Sequence, residues 1–552
     1  MGNHSDNSHA NTHPRWGRSL AQYYSSVYDS GPNFLEQKKN LGIDNAVALR
    51  TRARNGIQKI RGLGERHDPL PPGHTKLIPL NTLESISKLI LFPKALVNFS
   101  HPTLVGGCIK LMATVKESGK TSPFSYEYGY LCFRILTIAM GVCILDKSNL
   151  LNGAVSNMIS EPLADPIMLL SKHVENVVQI QLHQEERGLI DYTYQTHRID
   201  SLLGILELPS LLEILYDDRK AFSIALMHTN SLGLSGLMLL LGRCLANAKR
   251  ATYSAVEMYC EVLWRYSNAS AWDKLATQSL TNRYREEAKS TWKPTFIDLE
   301  DCVTILVASE IALAPHDHRI PGPFDISAVP VLMGFATPFI EPGSENFLPP
   351  FLDATMNCMW NAISSGRQSP EKLVDAVRDI FYHISKILSY AGRLFSFDNP
   401  VHKKVIAASF GKDLLELTAH MIMVITPRSG DSYFFGDAQN LFAKFSNLIP
   451  REDLQDTFAD YFPQWLKYAN YFFSCGSSFE FPKEDRGFFT EVRNDFGYFA
   501  LLRICEMPSS LHNANTSVRM LQMRGENILR AAIDWLDERS ESSHRQLCTG
   551  SS

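Results

Sequence analysis

Apolar residues recur at i, i+3, i+4, i+7 along most of the chain, and the pattern is plainest between Ser369 and Leu394. There Leu373, Val374, Val377, Ile380, Phe381, Ile384, Ile387, Leu388, Ala391 and Leu394 form one stripe, while Glu371, Lys372, Asp375, Arg378, Asp379 and Lys386 take the other side. A 3.6-residue period puts the apolar set on one face, which predicts an amphipathic helix packed by that face. A second stripe (Leu454, Phe458, Tyr461, Phe462, Trp465, Leu466, Ala469, Phe472) predicts another helix, kinked at Pro463. From Ile199 to Leu245 the pattern changes. No charged side chain lies between Lys220 and Arg243, and the run from Leu232 to Gly242 is apolar on every side. A helix apolar all round is buried, in a protein core or in a bilayer. The tetrad His228, Thr229, Asn230, Ser231 interrupts it and divides the stretch into helices over Leu211–Met227 and Leu232–Ala248. Each falls short of the ~20 residues that cross a membrane, so the reading is a buried helical hairpin with no membrane span.

Helix-start signals recur at Asn81 with Glu84, Asp165 with Pro166, Ser270 with Asp273, Thr295 with Asp298, Ser369 with Pro370, and Asn399 with Pro400. Capping oxygens satisfy first-turn N–H groups, and proline loses nothing at the first helical position. The β-compatible run Val303–Val307 sits inside a longer helical pattern that ends at Ala314. Helical segments of roughly 15–25 residues between short breaks make the chain all-α. Pairs recur about every 40–45 residues, a spacing that resembles armadillo and HEAT arrays over residues 80–540, although no position carries a family signature. The expected fold is therefore a multi-helix array, either an armadillo- or HEAT-like α-solenoid or an irregular helical bundle.

The expected divisions are a disordered tail (1–20), then a helical segment with a Pro/Gly linker (21–80) that carries a basic stretch at 50–61. A helical domain (81–314) follows, containing the central hairpin 199–248. A Pro-rich connection (315–350), a second helical domain (351–540) and a frayed end (541–552) complete the chain. At 552 residues the chain exceeds the roughly 250–300 at which a single core stops growing, so more than one domain is expected. A net charge of -4 gives no global attraction to nucleic acid or anionic lipid. The ten cysteines are scattered without a C-x-x-C pair and mostly in apolar contexts, which fits a reducing compartment. The polar start, Met1 to Asp6, has no basic and apolar signal regions and has Asp where a myristoylation signal has Ser or Thr. An intracellular location, cytoplasmic or nuclear, is expected.

Candidate chemistry is sparse. Gly119, Lys120 and Thr121 resemble the end of a P-loop, but Thr114 stands where the leading glycine is needed. His316, Asp317 and His318 offer metal-binding atoms and resemble the HD dipeptide of all-helical phosphohydrolases, without the distant His and Asp that complete such a site. Glu452, Asp453 and Asp456 resemble the Asp-rich motif of isoprenoid synthases, with Glu in the first place and no second motif. Arg50, Arg52, Arg54, Lys59 and Arg61 could meet phosphate or an acidic partner. The expectation is a non-enzymatic helical scaffold that binds a protein partner and holds no cofactor. The alternatives are a metal-dependent helical hydrolase or lyase and, less favoured, a nucleic-acid-associated protein. Oligomeric state is not encoded in any pattern found.

Overall fold

The computed structural model describes residues 12–29, 43–66, 78–117, 122–186, 202, 205–229, 232–247, 253–269, 273–288, 294–314, 325–394, 400–410, 414–424 and 432–448. Among these residues every regular element is a helix, accompanied by isolated bridges at His13–Gly17 and Ser19–Tyr126. The chain divides into two units, Met1–Phe324 and Asp325–Ser552. The division falls within the proline-rich stretch.

Unit 1 is built around α5. Its helices are α1 (Leu20–Asp29), α2 (Ile43–Gly64), α3 (Leu80–Ser87), α4 (Pro102–Glu117), α5 (Glu127–Lys147), α6 (Leu151–Ser160) and α7 (Pro166–Glu186). They continue with α8 (Leu208–Asp217), α9 (Arg219–His228), α10 (Ser235–Asn247), α11 (Tyr253–Ala269), α12 (Lys274–Ala288) and α13 (Leu299–Leu313). α5 reads EYGYLCFRILTIAMGVCILDK, apolar on all sides, and α1, α3, α4, α6, α7 and α10 pack around it. Among the described residues it is the one helix long and apolar enough to cross a membrane, yet 94% of its apolar window is buried within the protein.

The stretch expected to be a two-helix hairpin is three helices, α8, α9 and α10. The break absent from the sequence reading lies at Asp217 and Asp218. Asp217 pairs with Lys116 of α4, and Asp218 bonds the Ser122 hydroxyl, so both acids are drawn towards neighbours at the helix end. The apolar part of the stretch is core: Leu232, Leu234 and Leu237 to Leu241 are buried.

Part of the expected disordered tail is packed. Trp16 and Leu20 are buried, Tyr128 N donates to Trp16 O at 3.1 Å, and Arg18 meets the buried Glu127 carboxylate at 2.7 Å. A single Trp with an Arg two residues on is too short a signal for periodicity to register. Within the expected 21–80 segment α2 continues to Gly64, docked on α4. Here backbones nearly touch. A Cβ on Gly107 would stand 2.1 Å from Ile60 O, and one on Gly64 1.9 Å from Thr103 O.

Helix-start signals were partly displaced. α3 begins one residue before Asn81, with Pro79 in the capping place and no side-chain cap. Asp298 rather than Thr295 caps α13, accepting from Asp301 N at 2.9 Å. Asp165 accepts from Ile167 N at 2.8 Å, as its place before Pro166 predicts.

Unit 2 contains α14 (Val329–Ala336), α15 (Leu348–Ser365), α16 (Pro370–Leu394), α17 (Pro400–Phe410), α18 (Leu414–Val424) and α19 (Ser432–Leu448). The described part of the expected connection, residues 325–350, is largely helical. Pro330, Pro338 and Pro349 sit in the first turns of α14, a 3-10 turn (Thr337–Phe339) and α15, where a missing N–H costs nothing. Gly366 closes α15 at φ +59°, a left-handed conformation that favours glycine. α16 matches the predicted stripe: Leu373, Val374, Val377, Ile380, Phe381, Ile384, Ile387, Leu388 and Ala391 are all buried, against α14, α15, α18 and α19. The stripe at Leu454–Phe472 lies outside the described residues.

Candidate functional site

The basic segment is a helix, but not a single basic face. α2 docks through Ala53, Ile57, Ile60 and Leu63, and its cations flank that stripe on both sides. Arg50, Arg54 and Arg61 run down one edge and Arg52 and Lys59 down the other, as their spacings on a 3.6-residue period require. Arg50, Arg52, Arg54 and Lys59 are exposed, while Arg61 is half-buried. The Arg50 guanidinium lies 4.3 Å from the Phe92 ring centroid, so part of its surface covers unit 1 itself. Burial, and then the nearby Arg61 charge, lower the His101 pKa. His316, Asp317, His318, Glu452, Asp453 and Asp456 lie outside the described residues, as do Gly119, Lys120 and Thr121. Among the described residues no three His, Cys, Asp or Glu side chains gather as a metal site would need.

Two polar clusters in unit 1 are buried and closed. In the first, Arg265 of α11 is fully buried, with Nη1 2.6 Å from Asp301 Oδ1, Nη2 2.9 Å from Asp301 Oδ2, and Nε 2.8 Å from Glu261 Oε1. Its Nη2 also donates to Thr295 O at 3.3 Å, and Asp301 accepts from Ile297 N at 3.0 Å. This is the bidentate geometry that makes a buried pair tolerable. Burial pushes the Glu261 carboxyl pKa up, against the pull of Arg265. In the second cluster, Asp273 accepts from Ser235 N at 2.7 Å and from the Tyr266 hydroxyl, which itself accepts from Leu234 N. Glu175 of α7 accepts from Leu275 N and Ala276 N at 2.9 and 3.2 Å. The two acids thus satisfy first-turn N–H groups of α10 and α12, doing for other helices what a local cap does for its own. The sequence reading gave Asp273 to its own helix. Its side chain serves α10 across the core.

Six of the described thiols are equally committed to packing. Cys108, Cys132, Cys143, Cys260, Cys302 and Cys358 are buried and form no disulfide, and burial pushes the Cys143 thiol up to about 12. Such thiols are inert as nucleophiles.

Asp218 is the acid least at ease. Burial, opposed by the Ser122 hydrogen bond and the Lys116 charge, raises its pKa from 3.8 to about 6, and its Oδ2 is buried without a hydrogen-bond partner. The native state therefore binds this proton more tightly than the unfolded chain. Its destabilising effect is absent below pH ~4, grows between pH ~4 and 6, and is complete above ~6. Asp218→Asn should raise stability at pH 7.5 by about 1–2 kcal/mol, after allowance for its partial exposure, and change nothing at pH 3.5. Melting curves of both chains at the two pH values check this; an equal shift at both would mean that charge is not the cause.

Unit 2 has an open cavity of 280 Å³ between α14, the turn after it and α16. His383, Lys386, Tyr390 and Arg393 form one wall, and Gly334 and Thr337 line the other. The spacing 383, 386, 390, 393 keeps these four on one side of α16. Gly334 allows a close approach, since a Cβ there would meet His383 Cε1 at 3.1 Å. Lys386 Nζ lies 4.3 Å from the Tyr382 ring centroid and Arg393 Cζ 4.7 Å from that of Tyr390, so rings steady both cations. The Thr337 and Ser389 hydroxyls donate to Met333 O and Ser385 O at 2.6 and 2.7 Å, leaving lone pairs rather than protons for the cavity. No carboxylate is among the lining residues; Asp379, one turn before His383, pairs with Arg378. By sequence alone Lys386 falls on the polar face of this helix, apart from its companions. Their signal was the 3-4-3 spacing of His, Lys, Tyr and Arg, which stands out only once α14 supplies the opposite wall.

No family model matches the chain, and no curated protein or solved structure matches it.

Proposed function

We propose that the chain is a non-enzymatic, all-helical binding protein whose helices form a scaffold for a protein partner. The observation that carries this reading is a run of exposed apolar side chains at the start of α13. Phe296, Ile297 and Leu299, on either side of the capping Asp298, are each 45% exposed, beside the Lys220–Asp298 and Lys220–Glu300 ion pairs. Contiguous apolar exposure with a charged rim is what a protein interface presents before its partner arrives. The buried ionisable clusters of unit 1 support the same reading from the other side, since their polar atoms are engaged with helix ends and with one another. A repeat-type array in a reducing intracellular compartment would suit such a scaffold, because stacked helix pairs expose long surfaces.

Affinity purification of the full chain from its native cell should recover one protein in stoichiometric amount. The double variant Phe296→Ser, Ile297→Ser should lose it while keeping its melting temperature. Repeated recovery of the chain alone, or undiminished recovery with the double variant, would overturn the reading.

A further inference from the structure

We propose that the α14–α16 cavity of unit 2 is a binding site for a phosphomonoester group. This does not depend on the scaffold reading, because the cavity lies wholly within unit 2 and has its own chemistry.

The first argument is charge. Lys386 and Arg393, with His383 beside them, converge on one small volume whose lining has no carboxylate. Cations that serve only solubility are interspersed with acids, as they are in the first half of α16, where Arg378 pairs with Asp375 at 2.9 Å and with Asp379 at 3.3 Å. In the second half the acids stop and the cations face a cavity. A helix C-terminus attracts basic residues through its dipole, but that effect fades within the last turn. It accounts for Arg393 and leaves Lys386 and His383, two and three turns from the end, unexplained.

The second argument is geometry. The Lys386 ammonium and the Arg393 guanidinium are held over the Tyr382 and Tyr390 rings, and Arg393 Nε donates to Ser389 O at 3.2 Å. This fixes the guanidinium while leaving its terminal N–H groups for a ligand. A planar guanidinium fork together with an ammonium is the donor set that suits a tetrahedral oxyanion carrying two charges. The third argument is size. At 280 Å³ the cavity is below the usual span for drug-sized ligands, roughly 300–1,000 Å³, and accommodates a phosphate with a few attached atoms.

The phosphomonoester could belong to a small metabolite or to a phosphorylated side chain. The test uses the full chain in low-salt buffer without phosphate and follows calorimetric titration with three probes: glycerol 3-phosphate, a phosphoserine tetrapeptide and succinate. Saturable binding of at least one phosphorylated probe is expected, tighter than succinate, and weakened at least about tenfold by Lys386→Gln with Arg393→Gln, at unchanged melting temperature. Tighter binding of glycerol 3-phosphate than of the peptide assigns the site to a metabolite, and the reverse order assigns it to a modified side chain. No saturable binding of either phosphorylated probe, succinate binding as tightly as phosphate, or full retention in the double variant would each overturn the proposal. Gly334→Leu, which fills the cavity from the α14 side, gives an independent check: it should abolish binding with Lys386 and Arg393 still present.

Discussion

Arg265→Met should lower the stability of unit 1 by about 3–5 kcal/mol, because it leaves Glu261 and Asp301 buried and facing one another with nothing between them. The methionine nearly fills the space, so the loss is electrostatic rather than a cavity effect. Its pH dependence separates the two. Without the guanidinium the Glu261 carboxyl, already pushed up by burial, would rise further. Protonating it relieves the repulsion, so the deficit of the variant should shrink as the pH falls; a packing defect would be constant with pH. Urea unfolding of the full chain, followed by the fluorescence of the adjacent buried Trp264, reads the midpoint at pH 5 and 7.5. A second variant, Arg265→Met with Asp301→Asn, should recover part of the loss. A loss below ~1 kcal/mol at both pH values would show that water reaches the cluster.

Gly107→Ala is the second large effect, and its cause is purely steric. The added methyl would stand 2.1 Å from Ile60 O, a backbone atom that no rotamer change can move. Either α2 or α4 must shift. Overpacking usually costs about 1–3 kcal/mol, and a clash with backbone belongs at the top of that range or above it. The consequence is local: α2 loses its seat, and with it the basic residues it carries. Limited proteolysis of the full chain should show new cleavage within 43–64 in the variant before any global loss of helix. Gly62, with open space around its position, is the matched control, and Gly62→Ala should leave the protease pattern unchanged.

The contrast between α16 and α5 shows how far sequence could go. α16 is amphipathic, with a polar face that stays polar, so its boundaries and buried positions could be read to within a residue. α5 has no polar face and therefore no periodicity; its central place was missed in favour of the leucine-rich 199–245 stretch, although both share the same all-round apolar character. The helices within the proline-rich stretch were hidden for a related reason. Proline marks helix starts and loops alike, and only the packing of Val329, Leu332 and Met333 shows that Pro330 opens α14 rather than extending a connection. The cavity was half legible. The stripe from His383 to Arg393 was in plain view on a predicted helix, but a stripe becomes a site only when Gly334 and Thr337 of another element close it. Contacts between residues about 50 apart leave no trace in local spacing. The same holds for Asp273 and Glu175, which cap helices other than their own.

The burial of α5 has a consequence for the chain while it is being made. α5 leaves the ribosome before α7 and α10, the helices that later cover it, have been synthesised. During that interval its 21 residues have the length and composition of a membrane-spanning segment. What sets the nascent segment apart is Arg134, near its middle, since a central arginine costs an inserting helix roughly 2.5–3.5 kcal/mol. In the folded protein the same side chain bonds Tyr130 and is drawn towards Asp165. Arg134 thus has two settings, first as a charge that raises the cost of placing the unfinished segment in a bilayer and afterwards as a partner of Tyr130 within unit 1.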